Sequence, residues 1–467
     1  MRGCAGEQAA STAKSLEISN VGKDAMQRLL AAAHRGQILA GLLEFSIADN
    51  KLPTIQFLSP WSAFACLMCL NLSGNVITGL DCALLCQWLS SSDAARLTRL
   101  VCRNCSLCIA GGDESFCNLA AAALDCINLR HLDMSEESRL SEVAFLRCTQ
   151  LLKCAHLTEI ILDGLLVLSS PSACLALGEA VACPTNALIR ISIANCRINN
   201  EALEKLARGL SSKLPRRSIS LVLDYNPFTS TLPLHHLLSG HSNAPDLCGL
   251  SLIGLSLAGC RLPPTAQILL AGRVATSRHL TYFNVGNNAL THVFMTVLTE
   301  RLSIEWGKSG HGDEVCTAPE GSCFVPPLRY LVLSDNGIGC RGVTKLFDLL
   351  RAHSQSHPLR TIQMANCLPG VAGIAAINAC LDIDRRLVRL EMRAATDCAH
   401  APLNRSTSDI LLFCVEWPLH LRIAFLSAIR RPRHQLLGRL YKIDRDSCGR
   451  VFEFLTQPVY RQLVVLK

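Results

Sequence analysis

The spacing Cys102-x-x-Cys105-x-x-Cys108 is that of half a zinc or iron–sulfur site. Zinc asks for four thiolate or imidazole ligands. The apolar residues around this triplet assign two of its members elsewhere, Cys102 to a core strand position and Cys105 to a turn position, and only Cys108 is left over. Cys66-x-x-Cys69 fares no better, and His311, Cys316 and Cys323 read as loop residues. Asp444, Asp446, Gly449 and Val451 match positions 1, 3, 6 and 8 of a twelve-residue calcium loop. Position 5 is Cys448, however, and position 12, which needs a bidentate glutamate, is Leu455. The loop at 444–455 therefore reads as a degenerate turn. No glycine-rich phosphate loop follows a strand, and neither a G-x-S-x-G elbow nor an H-E-x-x-H helix occurs. With 25 Cys and 14 His in the chain, a Cys–His pair in the sequence carries no information. The expectation is a protein without catalytic residues, metal or cofactor.

The elements that position these residues follow from an apolar phrase, L-x-x-L-x-L-x-x-N/C-x-L, found in about twelve registers. Clear copies are Leu67, Leu70, Leu72, Asn75, Ile77 and Leu328, Leu331, Leu333, Asn336, Ile338. The N/C position is occupied by Asn50, Asn75, Cys105, Glu137, Leu165, Cys196, Asn226, Cys260, Asn288, Asn336, Cys367 and Ala395. A buried Asn amide donates and accepts at once, and a Cys is small with a weak S–H donor, so either serves where a short strand turns inward. Glu137, Leu165 and Ala395 break the rule, and irregular turns are expected there. Successive copies are spaced by 25, 30, 32, 28, 31, 30, 34, 28, 48, 31 and 28 residues. Units of this length have room for a return helix. The stripe Leu203, Leu206, Ala207, Leu210 after an Asn199-Asn200 cap, and Ser170-Pro171 before 172–181, read as such helices. Arg341–Ala352 repeats the pattern. The spacing of 48 marks an insertion near 303–327, whose Gly and Pro content reads as a surface loop carrying an exposed Trp306.

These units resemble leucine-rich repeats of the ribonuclease-inhibitor-like subtype over roughly residues 40–395. The resemblance implies an α/β leucine-rich-repeat solenoid, a horseshoe with parallel strands on the concave face and helices on the convex face. It divides the chain into an N-terminal cap at 1–39, the repeats at 40–395, and a basic C-terminal cap or tail at 396–467. It also implies protein binding, as a subunit of a larger intracellular assembly in the cytoplasm, at the cytoskeleton or cilium. The subtype includes activators of small GTPases, which keeps a GTPase-regulating function as the alternative. Composition agrees with a stack: 49% of residues are hydrophobic but only 5% aromatic, so the core is aliphatic. Residues 52–80 carry no charge, yet Pro53, Pro60, Asn71, Gly74 and Asn75 interrupt them, so a membrane span is not expected. Met1–Ala13 lacks the apolar stretch of a signal peptide, and reduced thiols are expected.

Strand alternation puts the residues flanking the two inner leucines on the concave face. Arg99 and Arg103 form a basic spot there, followed by an acidic stretch with Asp133, Glu159 and Asp163. Tyr282 and Tyr330 share one register on adjacent repeats above Gly254, Ala258 and Gly286, an arrangement suited to anchoring a protein partner. In the tail, residues 422–467 hold ten Lys/Arg against three acids, a net of +7 in a chain of +8, densest at Arg430, Arg431 and Arg433. Such a patch suits an acidic protein surface or closes the apolar end of the stack. Nucleic acid is disfavoured, because no stacking aromatics are interleaved with the run.

Overall fold

The computed structural model describes residues 14–18, 23–28, 39–58, 61–153, 156–210, 218–230, 232–239, 251–307, 327–384 and 386–393, with the backbone of strands at 411–414 and 460–466. The chain divides into two compact units, Met1–Leu252 and Ile253–Lys467.

In the first unit eight short strands run parallel in chain order: β1 (Ser15–Glu17), β2 (Glu44–Ser46), β3 (Cys69–Asn71), β4 (Arg99–Val101), β5 (His131–Asp133), β6 (Glu159–Ile161), β7 (Arg190–Ser192) and β8 (Ser218–Val222). β1 lies inside the segment read from sequence as a cap. The central residue of each repeat strand, such as Leu70, Leu100, Leu132 or Ile191, is buried, so its neighbours on either side face outward. The second unit repeats the plan with β9 (Ser251–Ser256), β10 (Tyr282–Asn284), β11 (Tyr330–Val332), β12 (Thr361–Gln363) and β13 (Arg389–Arg393). β15 (Tyr460–Leu466) continues it in parallel beside β13, and β14 (Leu411–Cys414) pairs antiparallel with β15. Each unit is thus an α/β repeat stack, with a parallel sheet backed by return helices.

The turn that ends each strand has one repeated device. The residue before the N/C position is left-handed in every described copy: Asp49, Gly74, Asn104, Glu136, Gly164, Asn195, Tyr225, Gly259, Asn287, Asp335 and Asn366, with φ between 52° and 71°. Nine of these eleven are Gly, Asn or Asp, the types that adopt this conformation at least cost. The expectation of irregular turns at Glu137 and Leu165 is therefore corrected, since Glu136 and Gly164 keep the same backbone there. Ala395 lies outside the described residues.

The N/C side chains then stitch successive repeats together. Asn336 Nδ2 donates to Val285 O (2.9 Å) in the preceding repeat and to Leu333 O (2.8 Å) in its own, while Oδ1 accepts from the N–H groups of Asn288 (3.0 Å) and Leu290 (2.9 Å). Asn75, Asn226 and Asn288 make equivalent bonds. Cysteine meets the demand differently. Cys105, Cys196 and Cys367 donate through Sγ to Leu72 O, Leu162 O and Leu333 O. At Cys105 and Cys367 the facing N–H groups, Ile77 and Gly339, turn to the cysteine's own backbone carbonyl. Glu137 uses its carboxylate to accept from Cys105 N (2.9 Å).

Behind the sheet, helix Asn200–Leu210 buries Ala202, Leu203, Leu206, Ala207 and Leu210, the stripe expected from sequence. It meets helix Pro171–Val181 at Gly178 and Gly209, so closely that a Cβ on Gly209 would lie 2.6 Å from Leu175 O. The insertion starts later than its composition suggests. Helix His292–Gly307 continues through residues 303–307, because Phe294, Leu298, Leu302 and Trp306 form one i, i+4 stripe, and all four are buried. Trp306 is 1% exposed and packs its ring 5.8 Å from those of His353 and His357, so the reading of an exposed loop aromatic is corrected. Residues 308–326, with Cys316 and Cys323, lie outside the described residues.

Candidate protein-binding face

Parallel pairing without slippage brings the sequence-predicted residues into rows across each sheet. In the second unit Gly254, Tyr282, Tyr330, Thr361 and Arg389 are paired in succession. Phe283 and Leu331 fill the core beneath, which fixes both tyrosines on the outer side. Their ring centroids are 6.4 Å apart at 42°, within the range of favourable aromatic pairs. Tyr330 is 46% exposed and Tyr282 is half-buried. The floor is small, and a Cβ on Gly286 would meet Ser334 O at 3.2 Å. Beside them Asn284 Nδ2 donates to Ser256 Oγ (2.9 Å).

The charged row of the first unit is largely satisfied within itself. Glu159 accepts from His131 Nδ1 (2.8 Å) and from Arg190 Nε (3.3 Å), its partners on the strands to either side. Asp163 Oδ1 accepts from Ser192 Oγ (2.6 Å) and Ala194 N (2.7 Å). Burial raises the Asp163 carboxyl above its ordinary value, against the pull of those two donors. Asp133 was expected on the exposed face. It is buried, with Oδ1 accepting from Ser135 N (3.0 Å) and Ser135 Oγ (2.5 Å), so it shapes the turn instead of facing a partner. Arg103 pairs with Glu136 at 2.5 Å, and that bond chiefly raises its affinity for its proton. Arg99 is exposed on β4, four residues before Arg103. The structure thus brings Arg103, Asp133, Glu159 and Asp163 together on the strands and turns of neighbouring repeats, but it directs most of their polar capacity inward. Arg430, Arg431, Arg433 and the loop at 444–455 lie outside the described residues.

One row was missed in the sequence. The residue just before most of the described strands sits at the strand's N-terminal end, where its carbonyl accepts two N–H groups from the next repeat, as Thr281 O does from Arg329 and Tyr330 and Arg329 O from Arg360 and Thr361. In the second unit this row contains Arg329 and Arg360, both exposed. They occupy the first variable position of L-x-x-L, one residue ahead of the tyrosine register.

The cysteine readings hold in their packing. Cys102, Cys105, Cys196, Cys260 and Cys367 are 0–1% exposed. Burial pushes the thiols of Cys196 and Cys367 up to about 12. Among the described residues no helix is long and apolar enough to cross a membrane.

A family model described as Leucine Rich repeat matches residues 326–347, which include β11 and its turn. No curated protein matches the sequence. Similar solved structures include an internalin from Listeria monocytogenes, at 17% identity over 76% of this chain and 81% of that one, with a TM-score of 0.32. A TLR13–ssRNA13 complex is 15% identical over 75% and 42% of the two chains, with a TM-score of 0.39. The Rad7–Elc1 complex of yeast is 12% identical over 62% and 86%, with a TM-score of 0.27. The repeat geometry gives the chain the fold class of an α/β leucine-rich-repeat stack, and one of its repeats matches the family model.

Proposed function

We propose that this chain is a non-catalytic protein-interaction scaffold that holds a partner against the strand face of its second unit, with Tyr282 and Tyr330 as the anchor. The single observation that carries this is the aromatic pair. Two large rings lie tilted against each other on adjacent strands above small residues, while the core below is closed without them. Rings with few rotatable bonds offer contact area at low entropic cost, and such residues dominate measured hot spots.

The Asn/Cys alternation and repeats long enough for return helices support the ribonuclease-inhibitor-like subtype within this class. With that subtype goes the proposal that the scaffold belongs to an intracellular assembly, at the cytoskeleton or cilium. The test is comparative capture from native cells with wild type and a Tyr282→Ala, Tyr330→Ala variant as baits, quantified by mass spectrometry. A discrete set of proteins held by wild type and lost from the well-folded variant is expected. Identical capture by both moves the interface off this face.

A further inference from the structure

We infer that the partner segment seated on Tyr282 and Tyr330 is acidic, and that Arg329 and Arg360 hold its carboxylates. This rests on the reading that the tyrosines anchor a protein. It adds a partner chemistry, carried by a different row of residues.

The two rows are interlocked by the sheet. Tyr282 and Tyr330 are paired across β10 and β11, and Arg329 directly precedes Tyr330. Arg329 N and Tyr330 N both donate to Thr281 O, at 2.8 and 2.9 Å, so backbone bonds set the arginine beside the aromatic pair. Arg360 N and Thr361 N bond in the same way to Arg329 O, which places Arg360 one repeat further along at the same register. Adjacent strands are about 4.8 Å apart, so the two guanidinium groups spring from neighbouring points of one edge. Arg360 is steadied by donation from Nη1 to Arg386 O (3.0 Å), and Arg386 by donation to His357 O (3.2 Å).

The charge balance of this face is one-sided. The outward positions of β10–β13 are Tyr282, Asn284, Tyr330, Val332, Thr361, Gln363, Arg389 and Glu391. Glu391 is the one carboxylate in that set, and Arg389 holds it in an ion pair. Among the described residues no carboxylate is ion-paired with Arg329, Arg360 or Arg386. In the first unit the strand arginine Arg190 and the turn arginine Arg103 are matched to glutamates, whereas Arg130, at the register of Arg329 and Arg360, donates to the backbone carbonyls of Ile127 and His156. Two unmatched guanidinium groups beside two aromatic rings favour a segment that combines carboxylates with apolar side chains, because a planar guanidinium binds carboxylate in a fork. A basic segment would meet like charge at this edge.

The experiment measures fluorescence anisotropy of labelled peptides against the full chain. Three peptides of equal length share the same leucine and phenylalanine positions and carry Glu/Asp, Ser or Lys between them. The acidic peptide is expected to bind, to weaken with rising salt, and to lose at least about tenfold in affinity with Arg329→Glu, Arg360→Glu. Arg329→Gln, Arg360→Gln gives a smaller loss in the same direction, and thermal melting confirms folding. Tyr282→Ala, Tyr330→Ala weakens the same peptide. Equal binding of all three peptides, lost only with the tyrosines, overturns the acidic assignment and leaves the aromatic anchor standing. Dependence on the arginines alone removes the anchor and this proposal with it. Acidic binding that ignores both rows and falls with Arg430→Glu, Arg431→Glu, Arg433→Glu assigns it to the tail and overturns the proposal. So does a single-stranded RNA that displaces the acidic peptide and binds more tightly through the same arginines.

Discussion

Replacing Asn336 by alanine should cost more stability than any other single polar substitution in its repeat. The side chain is 3% exposed and serves groups in two repeats at once. Its loss strands the N–H groups of Asn288 and Leu290 and removes one of two donors from Val285 O, which keeps Asn288 Nδ2, and from Leu333 O, which keeps Cys367 Sγ. A buried amide hydrogen bond contributes about 1 kcal/mol net, and a buried group left unpaired costs about 1–3 kcal/mol. Two stranded donors and two weakened acceptors give about 3–5 kcal/mol, less whatever water recovers by entering the gap. Asn336→Cys should lose less, because Cys367 shows how a thiol fits the same role: Sγ donates to Leu333 O at 3.1 Å, and the facing N–H of Gly339 uses the cysteine's carbonyl at 3.1 Å. The assay is urea unfolding followed by circular dichroism, with native-state hydrogen exchange read at the Asn288 and Leu290 amides. Exchange there should accelerate in the alanine variant more than at amides of the first unit. An alanine variant within about 1 kcal/mol of wild type, or a cysteine variant worse than alanine, would refute the ladder as a source of stability.

Three further outcomes are expected. Gly209→Ala should cost about 1–3 kcal/mol in thermal unfolding, because the new Cβ meets backbone (Leu175 O and Glu179 N), which cannot swing aside; Gly272→Ala, with open space around it, is the control and should be neutral or stabilising. Burial raises the Glu137 carboxyl above its ordinary value, against the N–H groups of Leu107, Cys108, Cys105 and Ser106. The native state therefore binds this proton more tightly than the unfolded chain, and stability falls as pH rises from the ordinary carboxylate value to the native one. Glu137→Gln keeps an acceptor for Cys105 N and should flatten that part of the curve; an unchanged pH dependence would contradict the assignment. Trp306→Ala should cost about 3–5 kcal/mol in chemical unfolding, as for other buried aromatics, whereas an exposed loop residue would cost almost nothing.

The repeat and its strand register were legible because the leucine positions are set by burial, which composition reports directly. Phe283 and Leu331 in the core forced Tyr282 and Tyr330 outward, and the pairing of Tyr282 with Tyr330 follows from the shared register. The left-handed residue before each ladder position was equally present in the sequence as Gly, Asn or Asp, but at Glu136 and Tyr225 the fold imposes that conformation on types that resist it. Glu137 and Leu165 depart from the Asn/Cys rule only in their side chains, while the turn itself is made by the left-handed backbone of Glu136 and Gly164. Trp306 was misplaced for a related reason: glycines downstream suggested a loop, while the i, i+4 stripe ending at Trp306 had already assigned it to a helix. Asp133 shows the limit of alternation, since an outward strand position next to a tight turn can still be buried by the serine it caps. Arg329 and Arg360 escaped notice because they precede the strand, where alternation makes no statement.

The most direct test of the anchor is the affinity of a purified captured partner for the full chain, measured by calorimetry with wild type and with Tyr282→Ala, Tyr330→Ala. Truncating a true anchor costs about 2 kcal/mol or more, so the account predicts a loss of about thirtyfold or greater, with little change in melting temperature. Unchanged affinity in a variant that melts like wild type would contradict it and move the interface away from the tyrosine pair.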